Sequence, residues 1–160
     1  MNVASWLLWG FVATLVLTTL MSASQGLRFT RMNIPYMLGA IFTPSRDRAK
    51  LIGFVFHLAN GWMFSLLYVA IFQSLGKATW WLGALIGLVH SAFVLTAGMR
   101  IMPGMHPRMA SEAQGPTVMR QLEPPGFLAL NYGVRTPISV VVAHVVFGII
   151  LGAVYTLPSN

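Results

Sequence analysis

Apolar and polar positions alternate along this chain in long blocks. Residues 3–22, 51–75, 81–102 and 137–157 are four runs with almost no charge, separated by basic or proline-rich segments. Each run supplies the roughly 20 apolar residues with which a helix crosses a hydrocarbon core about 30 Å thick. The pattern predicts an all-α integral membrane protein, a four-transmembrane-helix bundle that forms a single membrane domain over residues 1–160. Trp80 and Trp81 fall where an aromatic belt is expected. Pro103 is expected to stop the third helix, since it cannot continue the hydrogen-bond ladder, and Pro137 suits the first turn of the fourth. The first apolar run has no positive charge before it, whereas Arg28 and Arg31 follow it. It therefore reads as a retained helix rather than a cleaved signal peptide.

Two long loops remain, residues 26–50 and 103–135. Each contains an apolar run too short to span: Pro35 to Phe42 in the first, Phe127 to Leu130 in the second. Such runs are expected to lie at the interface or to re-enter the membrane.

A second pattern is superposed on the first. Arg135, His144, Gly148 and Tyr155 follow the spacing Arg-x8-His-x3-Gly-x6-Tyr, and Arg48, His57, Gly61 and Tyr68 repeat it 87 positions earlier. At about 100° per residue, His, Gly and Tyr fall within about 40° of one another on each helix. The first and third helices align more weakly, with Gly10-Phe11-Val12 against Gly87-Leu88-Val89. The chain is accordingly expected to be a tandem duplication of a two-helix unit, with both halves in the same orientation. The ending His144-x3-Gly148-x3-Gly152-x2-Tyr155 resembles that of small bacterial membrane proteins, over one helix alone, and implies no activity.

Charge fixes the expected orientation. The sequence carries ten Lys and Arg against three acids, a net charge of +7. Lys77 alone sits in the short loop, so the positive-inside rule puts both long loops in the cytoplasm and both termini outside, in a bacterial inner (plasma) membrane. The excess is thus a topology signal. Basic residues scattered between prolines form no nucleic-acid module, so no nucleic acid is expected.

Composition excludes much chemistry. There is no cysteine, hence no disulfide, thiolate zinc site or Cys-bound iron–sulfur cluster. The acids Asp47, Glu112 and Glu123 are all expected in loops, and no nucleophile elbow, P-loop or dinucleotide fingerprint occurs. Without a carboxylate at membrane depth to carry a coupled ion, a small-solute transporter is a weaker alternative. A non-enzymatic role is expected, as an accessory or assembly subunit of a larger membrane complex. Its partners would be the lipid bilayer and either another membrane protein or a second copy of the chain.

Three histidines form the candidate site. His57, His90 and His144 each lie nine or ten residues from a basic residue at the loop edge, about 13–15 Å along the helix, so three helices offer an imidazole in one layer. Glycines at four-residue intervals (Gly53, Gly61, Gly148, Gly152) put them on packing faces. Ligation of haem or another tetrapyrrole follows as the cofactor expectation, with His57 and His144 as the first pair and His90 as the alternative partner. The same rings would otherwise hydrogen-bond across helices to Asn60, Ser91, Thr96 or a backbone carbonyl. A second, softer set, Met102, Met105, His106 and Met109, matches Cu(I) preferences. Tyr68 and Tyr155 read as aromatic anchors at the outer interface.

Overall fold

The computed structural model describes residues 1–111 and 113–158; Glu112 and Ser159, the latter at the C-terminus expected outside, lie beyond those residues. Four helices are long and apolar enough to cross a membrane: α1 Val3–Gly26, α3 Arg46–Ser74, α4 Trp80–Met105 and α5 Thr136–Val154. The apolar run of the first long loop forms a short helix, α2 Ile34–Gly39, and that of the second a kinked segment, Phe127–Tyr132, with Leu128 and Ala129 at positive φ. No strand is present among the described residues.

Helix ends follow local chemistry more than hydropathy. Asn2 caps α1 by accepting the Ser5 N–H at 3.1 Å, and Asn33 caps α2 by accepting the Tyr36 N–H at 2.9 Å. Helix α3 starts at Arg46, five residues before its apolar run. Asp47 therefore lies in its first turn rather than in a loop, where its carboxylate complements the positive end of the helix dipole. Helix α4 does not stop at Pro103. The Met99 carbonyl, which the proline ring would crowd, adjoins a π-helical segment, Val94–Gly98, where the ladder is already wider. The helix runs on one more turn to Met105.

The helices alternate in direction. Along α1 and α3, Gly10 meets Ser65, Gly61 meets Thr14, and His57 meets Thr18. Along α4 and α5, Gly152 meets Thr79, Gly148 meets Gly83, and Gly87 meets the backbone at His144. Both are small-residue seams that let backbones approach closely. A Cβ on Gly148 would lie 2.0 Å from the Gly83 carbonyl oxygen, so only glycine fits there. These contacts relate the helix pairs through His57 and His144, but Thr18, not Gly10, then corresponds to Gly87. The alignment of Gly10-Phe11-Val12 with Gly87-Leu88-Val89 is therefore not the one the packing follows. The two seams differ from that register by about two helical turns.

Helix α1 also packs on α5, antiparallel to it, whereas the backbones of α3 and α4 stay apart and meet mainly through side chains. At one end the start of α1, the end of α5 and the end of α3 converge: Asn2 Nδ2 donates to Thr156 Oγ1 at 2.8 Å and Gln73 Nε2 to the Tyr155 hydroxyl at 3.1 Å. At the other end the two long loops form a joint cap. Arg31 N–H donates to the Tyr132 carbonyl at 2.8 Å, Thr30 and Thr136 share a hydroxyl contact at 2.7 Å, and Arg108 donates to the Ala40 and Ile41 carbonyls.

Candidate functional site

The histidine-bearing faces turn inward because each histidine shares its helix stripe with small residues. His144 Nδ1 lies 2.8 Å from the Val140 carbonyl, which can only accept, so Nδ1 carries the proton and Nε2 a lone pair. His57 Nδ1 lies 2.9 Å from Thr18 Oγ1, and that hydroxyl donates its single proton to the Thr14 carbonyl at 2.8 Å. His57 Nδ1 is therefore the donor, and its Nε2 is again a lone pair. His90 Nδ1 lies 3.1 Å from the Tyr68 hydroxyl, a pair that works with either partner donating. None of the three Nε2 atoms makes a hydrogen bond among the described residues.

The three rings line one cavity of about 240 Å³, open to the outside. His90 links its walls: its ring meets the His144 ring edge-to-face at 4.8 Å and 84°, and stacks on Phe64 of α3 at 4.9 Å. Thioethers of Met21, Met32, Met99 and Met102 face the same space, and no carboxylate does. The π segment begins at Val94, itself a lining residue, one turn after His90. Single wide turns of this kind recur at functional sites.

No family model matches this chain, and no curated protein or solved structure does either.

The expected residues are thus partly united and partly dispersed. His57, His90 and His144 share the cavity, but their partners are Thr18, Tyr68 and the Val140 carbonyl. Of the expected partners, Ser91 and Thr96 instead donate to carbonyls of their own helix, at Leu88 and Ala92. The edge-to-face contact of His90 and His144 leaves no room for a macrocycle between them.

The softer set does not converge. Met102 reaches the cavity, Met105 is 79% exposed and Met109 is buried elsewhere in the core. His106, 2% exposed, uses both ring nitrogens: Nε2 donates to the Met37 carbonyl at 2.9 Å and Nδ1 accepts from the Arg108 N–H at 3.1 Å. Burial, aided by the Arg108 charge, pushes His106 below the usual histidine range despite the Met37 hydrogen bond. Among the described residues no three His, Asp or Glu side chains gather as a metal site.

Tyr68 and Tyr155 are not interfacial anchors. They are 1% and 4% exposed, because they share the packing face with the histidines, and their hydroxyls are satisfied inside by His90, Gln73 and the Asn2 N–H. Sequence reasoning missed Thr18 and the methionines. Gly10, Thr14 and Thr18 sit four residues apart, the same small-residue signal used for the other helices.

Proposed function

We propose that this is a non-enzymatic integral membrane protein that binds a small lipid-soluble molecule between α3 and α4. One observation carries the reading: three imidazoles from three helices face a single apolar cavity, each anchored through Nδ1 and each with Nε2 uncommitted. Uncommitted polar nitrogens at membrane depth are costly unless something meets them. An apolar concavity with a few convergent polar groups is the usual form of a ligand site. Native mass spectrometry after mild-detergent extraction tests it. A small lipid-soluble adduct should accompany the native chain and be missing from Val94→Phe, which fills the cavity. An α-band in the dithionite-reduced spectrum would replace this reading with haem ligation.

The accessory-subunit reading has its own support at the other end of the molecule. Val118, Met119, Phe127 and Val134 are strongly exposed in the long-loop cap, where no spanning helix accounts for them. Exposed apolar groups of this kind suit a membrane-protein partner or a second copy of the chain. The same native spectrum reports it, as a stoichiometric partner or a dimer.

Orientation and ancestry belong to the proposal as well. All lysines and arginines except Lys77 lie in or beside the long loops, which supports a cytoplasmic cap with both termini outside, in a bacterial inner membrane. The matching seams, Thr18–His57 with Gly87–His144 and Thr14–Gly61 with Gly83–Gly148, support duplication of a two-helix unit in a register different from the one its sequence suggests.

A further inference from the structure

Resting on the reading that this cavity binds a lipid-soluble molecule, we propose that its occupant is a neutral hydroxylated single-ring lipid of the hydroquinone class. Its ring lies between α3 and α4, and its hydroxyls donate to Nε2 of His57 and His144.

Size sets the first limit. A dry cavity of about 150 Å³ takes benzene. The 240 Å³ here takes one ring with substituents. Protonation sets the second. His57 and His144 both offer lone pairs, because their Nδ1 protons are engaged at Thr18 and Val140. A ligand with carbonyl or ether oxygens alone would leave both unmet, so the occupant must bring donors. Charge sets the third. No carboxylate lines the cavity, so an ammonium donor would lack a counter-ion, and a neutral hydroxyl is favoured. His90 suits either a donor or an acceptor on the ligand, since its hydrogen bond with Tyr68 reverses by exchanging which partner donates.

The apolar wall favours an aromatic ring. Phe64 and Phe147 supply ring contacts, and the lining methionines are polarizable groups that pack well at aromatic edges. The open side of the cavity leaves a way for an alkyl tail to remain in the bilayer.

The test measures calorimetric binding of two probes to the detergent-solubilised full chain: a decyl-substituted benzohydroquinone held reduced under anaerobic conditions, and its di-O-methyl ether. The hydroquinone should bind saturably at one per chain, and the ether about a hundredfold more weakly, since it retains the shape but loses both donors. His57→Leu and His144→Leu should each weaken the hydroquinone by about tenfold and leave the ether nearly unaffected. Val94→Phe should abolish binding of both. Thermal midpoints report whether each variant folds, and the comparison of the two probes on the native chain needs no variant. Equal affinity for hydroquinone and ether would overturn the hydroxyl assignment while leaving the cavity as a ligand site. Hydroquinone binding undiminished by Val94→Phe would place the ligand elsewhere and overturn the proposal. Failure of both probes to bind the native chain would overturn this assignment, while a native lipid-soluble adduct lost from Val94→Phe would still uphold the ligand-binding reading.

Discussion

At the scale of single residues, the polar atoms inside the bundle are matched with few exceptions, and the matches decide the protonation of the site. Thr18 is the clearest case: one hydroxyl holds the Thr14 carbonyl and fixes the His57 tautomer. Thr18→Val keeps the shape and removes both links. It should lower stability by about 0.6 kcal/mol, and at most about 1.7, in line with interhelical polar contacts inside membranes. Unfolding in mixed micelles reads this directly, and a loss near zero would show that His57 is held by packing alone. Outside the membrane-spanning segments, His106 gives a pH signature. Its neutral form fits the cap, with Nε2–H on Met37 and a lone pair toward Arg108 N–H, and its pKa is lowered in the folded protein. The unfolded chain therefore binds the extra proton first. Stability of the long-loop cap should be full above about pH 6.5 and decline as pH falls from there toward the lower folded value. Hydrogen exchange of Met37 and Arg108 amides between pH 7 and 5 follows the decline. His106→Gln, which still offers a donor and an acceptor, should flatten it.

At the scale of elements, what was legible depended on whether the signal lay in composition or in contact. The four long helices were readable because uncharged apolar runs of that length suit helices that can satisfy their own backbone groups in an apolar solvent. Their ends were not, since Arg46 to Lys50 are helical with Asp47 in the first turn against the helix dipole, which hydropathy ignores. The π segment carries no compositional mark and was invisible, as was the extra turn past Pro103. The histidine layer was legible from spacing alone. The identity of its partners was not, because they depend on the relative slip of α1 on α3 and of α4 on α5. Glycines in those seams differ sharply in what they tolerate. Gly148→Ala would drive a methyl group into the Gly83 carbonyl and separate α4 from α5, an overpacking cost of about 1–3 kcal/mol or more. Gly98→Ala, in the π segment, meets nothing closer than 3.9 Å and should be neutral or stabilising, by up to about 1 kcal/mol. Thermal unfolding of the two variants side by side checks the contrast, and equal losses would mean that the seam is looser than its contacts imply.

At the scale of the whole molecule, the two ends differ in a way that bears on orientation. One end gathers the start of α1, the end of α5 and the short turn, with Lys77 as its single basic residue. The other gathers both long loops into a cap containing Arg31, Arg108 and Arg120. Each of these arginines points at least one guanidinium nitrogen at a backbone carbonyl, so the cap retains its cationic side chains in fixed places rather than on free tails. Translocating such an end across a membrane would carry nearly all of the positive charge with it, which the positive-inside rule disfavours. The expected outcome is a cytoplasmic cap. Since the chain has no cysteine, single cysteines introduced at Ser111, in the second long loop, and at Ser74, beside the short turn, report without background. In intact cells a membrane-impermeant maleimide should label Ser74→Cys and leave Ser111→Cys unlabelled until the membrane is opened. The reverse pattern would invert the molecule. It would also move the cavity, which lies nearer the long-loop end because Met32 and Ile34 line it, from the cytoplasmic to the external half of the bilayer.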